Sequence, residues 1–344
     1  MNNVPASAAA KPDFQSSKAL VQRFYAELDG SSERDIPRVL QRYTTPNYHW
    51  RGMHPFYEQH GAEAVAAVFW LPLRRALTSV QRRPDVFMAG RNEIDGFASE
   101  WVCSMGHLMG LFDSPWLGIP PTGKMAFLRY VDFHRVAEGL IVETASFCDI
   151  VSVMQQAGVN PLPMQTGAAF LTPGPRTHDG LLFAEQEPAE GRQTLALINR
   201  MVEDLSADGM QSPQDQLARC WHDDMIWFGP AGIGATYTRQ RYQEQHQGPF
   251  ASGLSDIRFN GHVCRFAEGR YGGFFGWANL SMKAAGGFMG MPASDRSTEM
   301  RVVDIYRRDG DKLAENWIFI DLLHFLHLQG LDVLGRTKRI LRTA

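Results

Sequence analysis

Apolar residues along positions 18–28 recur at helical spacing, with Leu20, Val21, Phe24, Tyr25 and Leu28 on one face. The run 35–44 continues the pattern through Val39, Leu40 and Tyr43, and 61–77 reads as a helix interrupted at Pro72. The period then changes from helical to alternating. RRPDVFMAG, GFASEWVCSMGHLMG, KMAFLRYVDFHRV and LIVETASFC each read as a strand, and the last meets Asp149 and a helix ending at Gly158. Three short helices, four or five long antiparallel strands and a closing helix predict an α+β unit. In it a curved sheet wraps its helices and encloses a cone.

The same order returns in the second half. VETASFCDIVSVMQQAG (142–158) and LAENWIFIDLLHFLHLQG (313–330) share a glutamate, an apolar run, an aspartate and a helix ending in glycine. Asp149 and Asp321 are 321 − 149 = 172 positions apart. YHWRGMHPF (48–56) finds MIWFGPAGI (225–233), and a Gly-x-Pro turn precedes an alternating strand in both 117–136 and 289–308. Trp101 in ASEWVCSMG pairs with Trp277 in GFFGWANLS on this reading. Self-similarity at this scale indicates a duplicated domain. The expected layout is a frayed tail over 1–15, one unit over 16–164, a connector over 165–193 and a second unit over 194–344. Prolines and glycines break any regular element in the connector, while Phe170, Leu171, Leu181, Leu182 and Phe183 suit packing on a domain surface.

Composition narrows the classes. The 344 residues carry 44% hydrophobic and 21% charged side chains and a net charge of −3, which suits a soluble globular protein and offers no basic face for nucleic acid. No apolar run is long enough to span a bilayer, and the start lacks the apolar core of a secretory signal. Cys103, Cys148, Cys220 and Cys264 form no C-x-x-C pair and read as buried thiols, which together with the missing signal implies a cytoplasmic location. Residues 118–124, GIPPTGK, match the opening of a phosphate-binding loop. Pro120 and Pro121 remove amide donors, Met125 stands where a Ser or Thr would hold magnesium, and a strand follows where a helix is required. A connection between strands is the better account.

The element order, the turn at 118–124 and the strand-then-Asp-then-helix ending resemble SnoaL-like polyketide cyclases of the nuclear transport factor 2-like (NTF2-like, cystatin-like) superfamily. GMHPFYEQHGAEAV, FWLPL and PGPRTHDG are similar to a bacterial tandem subgroup. The resemblance implies two tandem cones packed as a pseudo-dimer within one chain, with further pairing into a homodimer left open. It implies cofactor-independent acid–base chemistry, of cyclase or isomerase type, on a small apolar carbonyl compound, with no metal and no membrane or nucleic-acid partner. A non-catalytic binder and a purely structural module remain alternatives.

Counting back by twos, Asp149 shares a strand face with Phe147, and Asp321 with Phe319, Trp317 and Glu315. If that face lines the cone, aromatic walls raise each carboxyl's pKa and suit it to act as a base. The competing account is a helix N-cap, which needs no chemistry. The resemblance implies Asp149 and Asp321 as bases and His107, on a central strand, as the group supporting an oxyanion. The second unit has no histidine there, Lys283 being nearest, so the first unit is the expected site of chemistry. Substrate-lining candidates are His49, Trp50, Arg51, Trp101, Phe147, Trp227, Trp277 and Trp317. His49, His54 and His60 lack metal-ligand spacing, and no metal is expected.

Overall fold

The computed structural model describes residues 14–207 and 212–341. Residues 1–13 of the expected tail lie outside the described residues, and Gln15 already opens the first helix. In the first unit α1 (Gln15–Gly30) and α2 (Ile36–Tyr43) precede β1 (Thr44–Gly52) and β2 (Glu58–His60). Next come α3 (Ala62–Val65) and α4 (Leu71–Ala76), then β3 (Leu77–Arg91), β4 (Glu100–Phe112), β5 (Met125–Ala137), β6 (Leu140–Cys148) and α5 (Ile150–Gln156). The sheet order is β2-β1-β6-β5-β4-β3, with β1 parallel to β6 and the other neighbours antiparallel.

The second unit repeats the plan. It comprises α6 (Pro188–Ala207), α7 (Gln214–Cys220), β7 (Trp221–Phe228), β8 (Thr236–Tyr237), α8 (Arg239–Tyr242), α9 (Gly248–Gly253), β9 (Leu254–Phe259), β10 (Cys264–Glu268), β11 (Tyr271–Phe275), β12 (Leu280–Ala284), β13 (Thr298–Met300), β14 (Val302–Asp309), β15 (Lys312–Ile320), α10 (Leu322–Leu328) and α11 (Val333–Leu341). Helix α6 therefore begins inside the stretch read as connector.

Local chemistry explains several shared details. Five-residue π turns, Ala66–Trp70 and Gln243–Gln247, precede Pro72 and Pro249. A proline has no N–H and its ring crowds the carbonyl four residues back, and a wider turn accommodates both, so the helix bends at Pro72 without ending. Gly52 and Gly229 each lie under a tryptophan ring; a Cβ at either would sit 2.1 Å from Trp50 or Trp227.

The units differ in their strands. β3, β4 and β5 run unbroken, whereas their counterparts divide into β9/β10, β11/β12 and β13/β14, and β13-β12-β9 forms a separate sheet. Asn279 holds the break: its Oδ1 accepts from the Val302 amide at 2.7 Å and its carbonyl accepts from the Asn260 amide at 2.7 Å. The strand interruption thus leaves these backbone donors satisfied.

The two six-stranded sheets meet by their outer faces. Trp101 packs on Phe275 with ring centroids 5.5 Å apart, and Phe133 lies 5.8 Å from Phe266 and 5.1 Å from Phe275. Lys18 reaches from α1 to Glu268 of the second unit at 2.5 Å, both buried, and donates to the Leu182 carbonyl of the connector. The connector also runs along the β3 edge, through Phe87 N–H to Gly180 O and Leu182 N–H to Phe87 O, and so covers an otherwise unpaired ladder. All four cysteines are buried free thiols.

Side-chain parity corrects the expected inward face. Asp149 does share a face with Phe147, and Asp321 with Phe319 and Trp317. That face is the one turned to the other unit, since Phe147 packs on Trp277 and Trp317 on Phe228 beneath the connector, where it donates to Pro173 O. The cones receive the alternate residues: Tyr130, Asp132, His134, Thr144 and Ser146 in the first unit, Asp304, Tyr306, Asn316, Ile318 and Ile320 in the second. The register also corrects one pairing. Trp101 lies opposite Arg135 and Tyr271 opposite Arg307, so these two correspond. His107 lies opposite Arg129, and Trp277, extending the β11–β14 ladder, faces Arg301. Trp277 is thus the counterpart of His107.

The aspartates form a reciprocal clasp. Asp149 Oδ1 accepts the Ser152 amide at 2.9 Å, capping α5, and Oδ2 accepts the Ala231 amide of the second unit at 2.8 Å. Asp321 Oδ1 accepts the His324 amide at 3.2 Å, capping α10, and Oδ2 accepts the His54 amide of the first unit at 2.9 Å. His54 and Ala231 are equivalent, since 231 − 54 and 227 − 50 both equal 177. Each carboxylate therefore fastens its own helix and the other unit's loop. Removing one loses a cap and leaves buried amides unpaired. Asp149→Ala and Asp321→Ala should each lower unfolding free energy by about 2–4 kcal/mol in urea denaturation; a loss of under about 0.5 kcal/mol, as at a plain surface site, would contradict the clasp.

Candidate active site in the second cone

The second cone holds a cavity of about 100 Å³. Strand parity builds one wall from β14 and β15, which present Val302, Asp304, Tyr306, Asn316, Ile318 and Ile320. Helix α6 adds Met201 and Val202, and the bent helical segment adds Tyr242, His246, Gln247 and Phe250. The strand break brings in Phe259, His262, Asn279 and Leu280. The lining is largely apolar with a few polar groups, the usual composition of a small-molecule site.

Asp304 is the buried acid of this cavity; Asp204, which also lines it, pairs with Arg219 at 3.0 Å. Burial pushes its carboxyl up to about 7, while hydrogen bonds from Asn316 and Tyr306 pull the other way. Asn316 Nδ2 donates to Asp304 Oδ1 at 3.0 Å. Two imidazoles share the cavity: His246, stacked on Trp227 at 3.9 Å, and His262, stacked on Phe274 at 3.8 Å. Burial drives both down to about 3, so both are neutral at physiological pH, with Arg265 a lesser cause at His262. His246 Nδ1, His262 Nδ1, Gln247 Nε2 and Gln216 Oε1 are buried without a hydrogen-bond partner among the described residues. Unpaired buried polar atoms are costly, and a ligand or water in the cavity would satisfy them.

The equivalent acid of the first unit, Asp132 (304 − 132 = 172), is enclosed. It accepts from Tyr25 at 2.9 Å and Ser146 at 2.7 Å, and Tyr25 also meets His134 Nε2 at 2.7 Å. The Arg82 guanidinium lies 3.8 Å from the Tyr25 ring centroid and pairs with Asp29 at 2.9 Å. Side chains thus take up the space that remains open in the second cone.

Of the residues singled out from sequence, Trp227 alone lines the second cavity. Trp50 is buried in the first cone, donating to Ser146 at 2.9 Å. His49 and Arg51 lie on the outer face, His49 on Glu58 and stacked on His60, Arg51 on Glu143. Trp101, Phe147, Trp277 and Trp317 also belong to outer faces. His107, Arg129 and Asp149 line a separate cavity of about 30 Å³ beneath the connector. Asp304 was the residue sequence reasoning passed over. The signal was present in the matched strands RYVDFHRV and RVVDIYRR, where an aspartate interrupts an apolar run at the same place in both units. Among the described residues no group of three or more His, Cys, Asp or Glu side chains is arranged to hold a metal ion, and no helix is long and apolar enough to cross a membrane.

Fold and cavity together define a cone-shaped α+β protein with an acid-bearing apolar pocket. Residues 19–157, most of the first unit, match the model of the SnoaL-like polyketide cyclase family. Solved structures with similar folds include a protein assigned as a SnoaL-like polyketide cyclase from Jannaschia sp. CCS1, 20% identical, covering 44% of this chain and 96% of its own, with a TM-score of 0.35. TsrD from Streptomyces laurentii is 18% identical over 43% of this chain and 98% of its own, TM-score 0.35. An NTF2-like protein from Burkholderia thailandensis E264 is 21% identical over 40% and 94%, TM-score 0.30. No curated protein matches the sequence.

Buried imidazoles give stability a definite pH dependence. His54, His134, His246, His262 and His324 are held at about 3 to 4 by burial, against an ordinary 6.5. The unfolded chain takes up these protons first, so stability falls as pH drops from about 6.5 toward 4. Asp304 and Asp321, raised to about 7 from 3.8, and Glu268, raised by burial, act oppositely in the same window. Five imidazoles against three carboxyls leave the balance favouring unfolding. The urea midpoint should fall steadily between pH 7 and pH 5; a flat or rising midpoint would refute the burial assigned to these rings.

Proposed function

We propose that the second cone performs cofactor-independent acid–base chemistry, of cyclase or isomerase type, on a small, largely apolar compound with an activated carbonyl. The observation that carries this reading is Asp304, a carboxyl tuned to about 7 on the wall of an apolar cavity. A base with pKa near ambient pH is partly ionised and still strong enough to take a proton. Asp304 removes a proton from a carbon beside the carbonyl, and the electron pair passes into that carbonyl as an enolate. The enolate carbon then attacks a second carbonyl carbon of the same molecule, closing a ring as that C=O π bond breaks and its oxygen takes the proton from the Asp304 carboxylic acid; or the enolate is reprotonated at another carbon by the same acid. Tyr242 and Gln247 supply donors on the cavity wall for the developing oxyanion. The family description of the first unit and the name of the Jannaschia relative support a cyclase-type reaction class. Asp149 and Asp321 are fastenings in this reading, because both oxygens of each already accept backbone amides.

A binder without chemistry would use the same cavity, so the test must read proton removal. Exchange of the activated methylene protons of an aromatic β-ketoester in D₂O, followed by proton NMR, provides it. The protein should accelerate exchange, and Asp304→Asn should reduce the acceleration by about 10²-fold or more. Asp149→Asn should lower stability and leave most of the exchange. Full exchange in Asp304→Asn, or its loss in folded Asp149→Asn alone, would overturn the assignment.

A further inference from the structure

His107, Arg129 and Asp149 form a row across β4, β5 and the end of β6. His107 lies opposite Arg129, and the Asp149 amide donates to the Arg129 carbonyl at 2.9 Å. The second unit has the same row in Trp277, Arg301 and Asp321, 172 positions on for the last two. There the Trp277 ring covers the arginine, 4.0 Å from guanidinium carbon to ring centroid. In the first unit the smaller imidazole leaves the 30 Å³ cavity.

This cavity has donors without acceptors. Arg129 and His107 are 4% and 7% exposed. Arg129 Nη1 and His107 Nε2 both lack a hydrogen-bond partner among the described residues. Arg129 Nη2 makes only a 3.3 Å contact to Phe228 O, and its guanidinium lies 4.1 Å over the Phe319 ring. Burial lowers Arg129 to about 10, which leaves it charged at neutral pH. Both Asp149 oxygens are engaged with amides.

We propose that this cavity, on the outer face of the first sheet and separate from the second cone, binds a small oxyanion of the carboxylate class between Arg129 Nη1 and His107 Nε2. His107 Nδ1 lies 3.4 Å from Asp85 Oδ2. Nε2 donates in the imidazolium and in the neutral ring that carries its proton there. The charged groups facing the ring are Arg83, its cross-strand neighbour, and Asp85 from β3, Arg129 from β5 and Asp149 after β6. The connector residues and the Gly229–Ala235 segment lining the cavity contribute no titratable side chain. With neutral His107 these charges sum to +1 + 1 − 1 − 1 = 0. One proton and one anion taken up together leave that sum unchanged, so burial imposes no additional net charge. The anion reaches the cavity past Ala168–Thr172, where Phe170 and Leu171 are exposed.

Formate is the probe, titrated at constant ionic strength and followed by calorimetry and by thermal unfolding. Saturable binding is expected. His107→Trp, which copies the second unit, should abolish binding while the protein still unfolds cooperatively. His107→Gln retains a donor and should still bind formate. Formate without saturable effect on the wild-type chain, or bound equally by His107→Trp, would overturn the proposal.

Discussion

Two curved sheets bury their outer faces against each other, and this contact decides the role of every strand residue. A strand has two faces. Once one is committed to the partner sheet, aromatic side chains such as Phe133, Trp101 and Phe275 become interface, and only the alternate residues reach a cone. The clasp by Asp149 and Asp321 belongs to the same contact. Each carboxylate bridges from its own helix cap to the opposite loop, so the arrangement of the two units and the ends of their last strands are held by the same atoms.

The two units share this contact but differ in what fills them. The first cone closed over its acid with Tyr25, Ser146, His134 and Arg82, satisfying Asp132 completely. In the second, breaks in three strands are held by Asn279 and open a cavity beside Asp304. The outer rows diverged the other way: Trp277 covers Arg301, whereas His107 leaves space beside Arg129. The cavities beside Asp304 and beside Arg129 thus lie on opposite faces of their sheets.

Much of the architecture was legible in the chain. Helical spacing located α1 and α2, alternation located β3 to β6, and the strand–Asp–helix ending located α5 and α10 with their caps, which local hydrogen bonding governs. The GIPPTGK stretch leads into strand β5, as its prolines imply. What was not legible was which face of each strand looked inward. Both faces carry aromatics, so composition could not separate cone from interface, and the parity chosen placed Asp149 and Asp321 inward where the structure places Asp132 and Asp304.

The sequence alone determined the elements and their repeated order, because these depend on contacts within a few residues. Tertiary structure alone decided which acid is desolvated in a cavity, which arginine lacks a partner and which tryptophans are interface. Those properties depend on what lies across a sheet from each side chain, often in the other unit more than 100 residues away, and no local pattern records it.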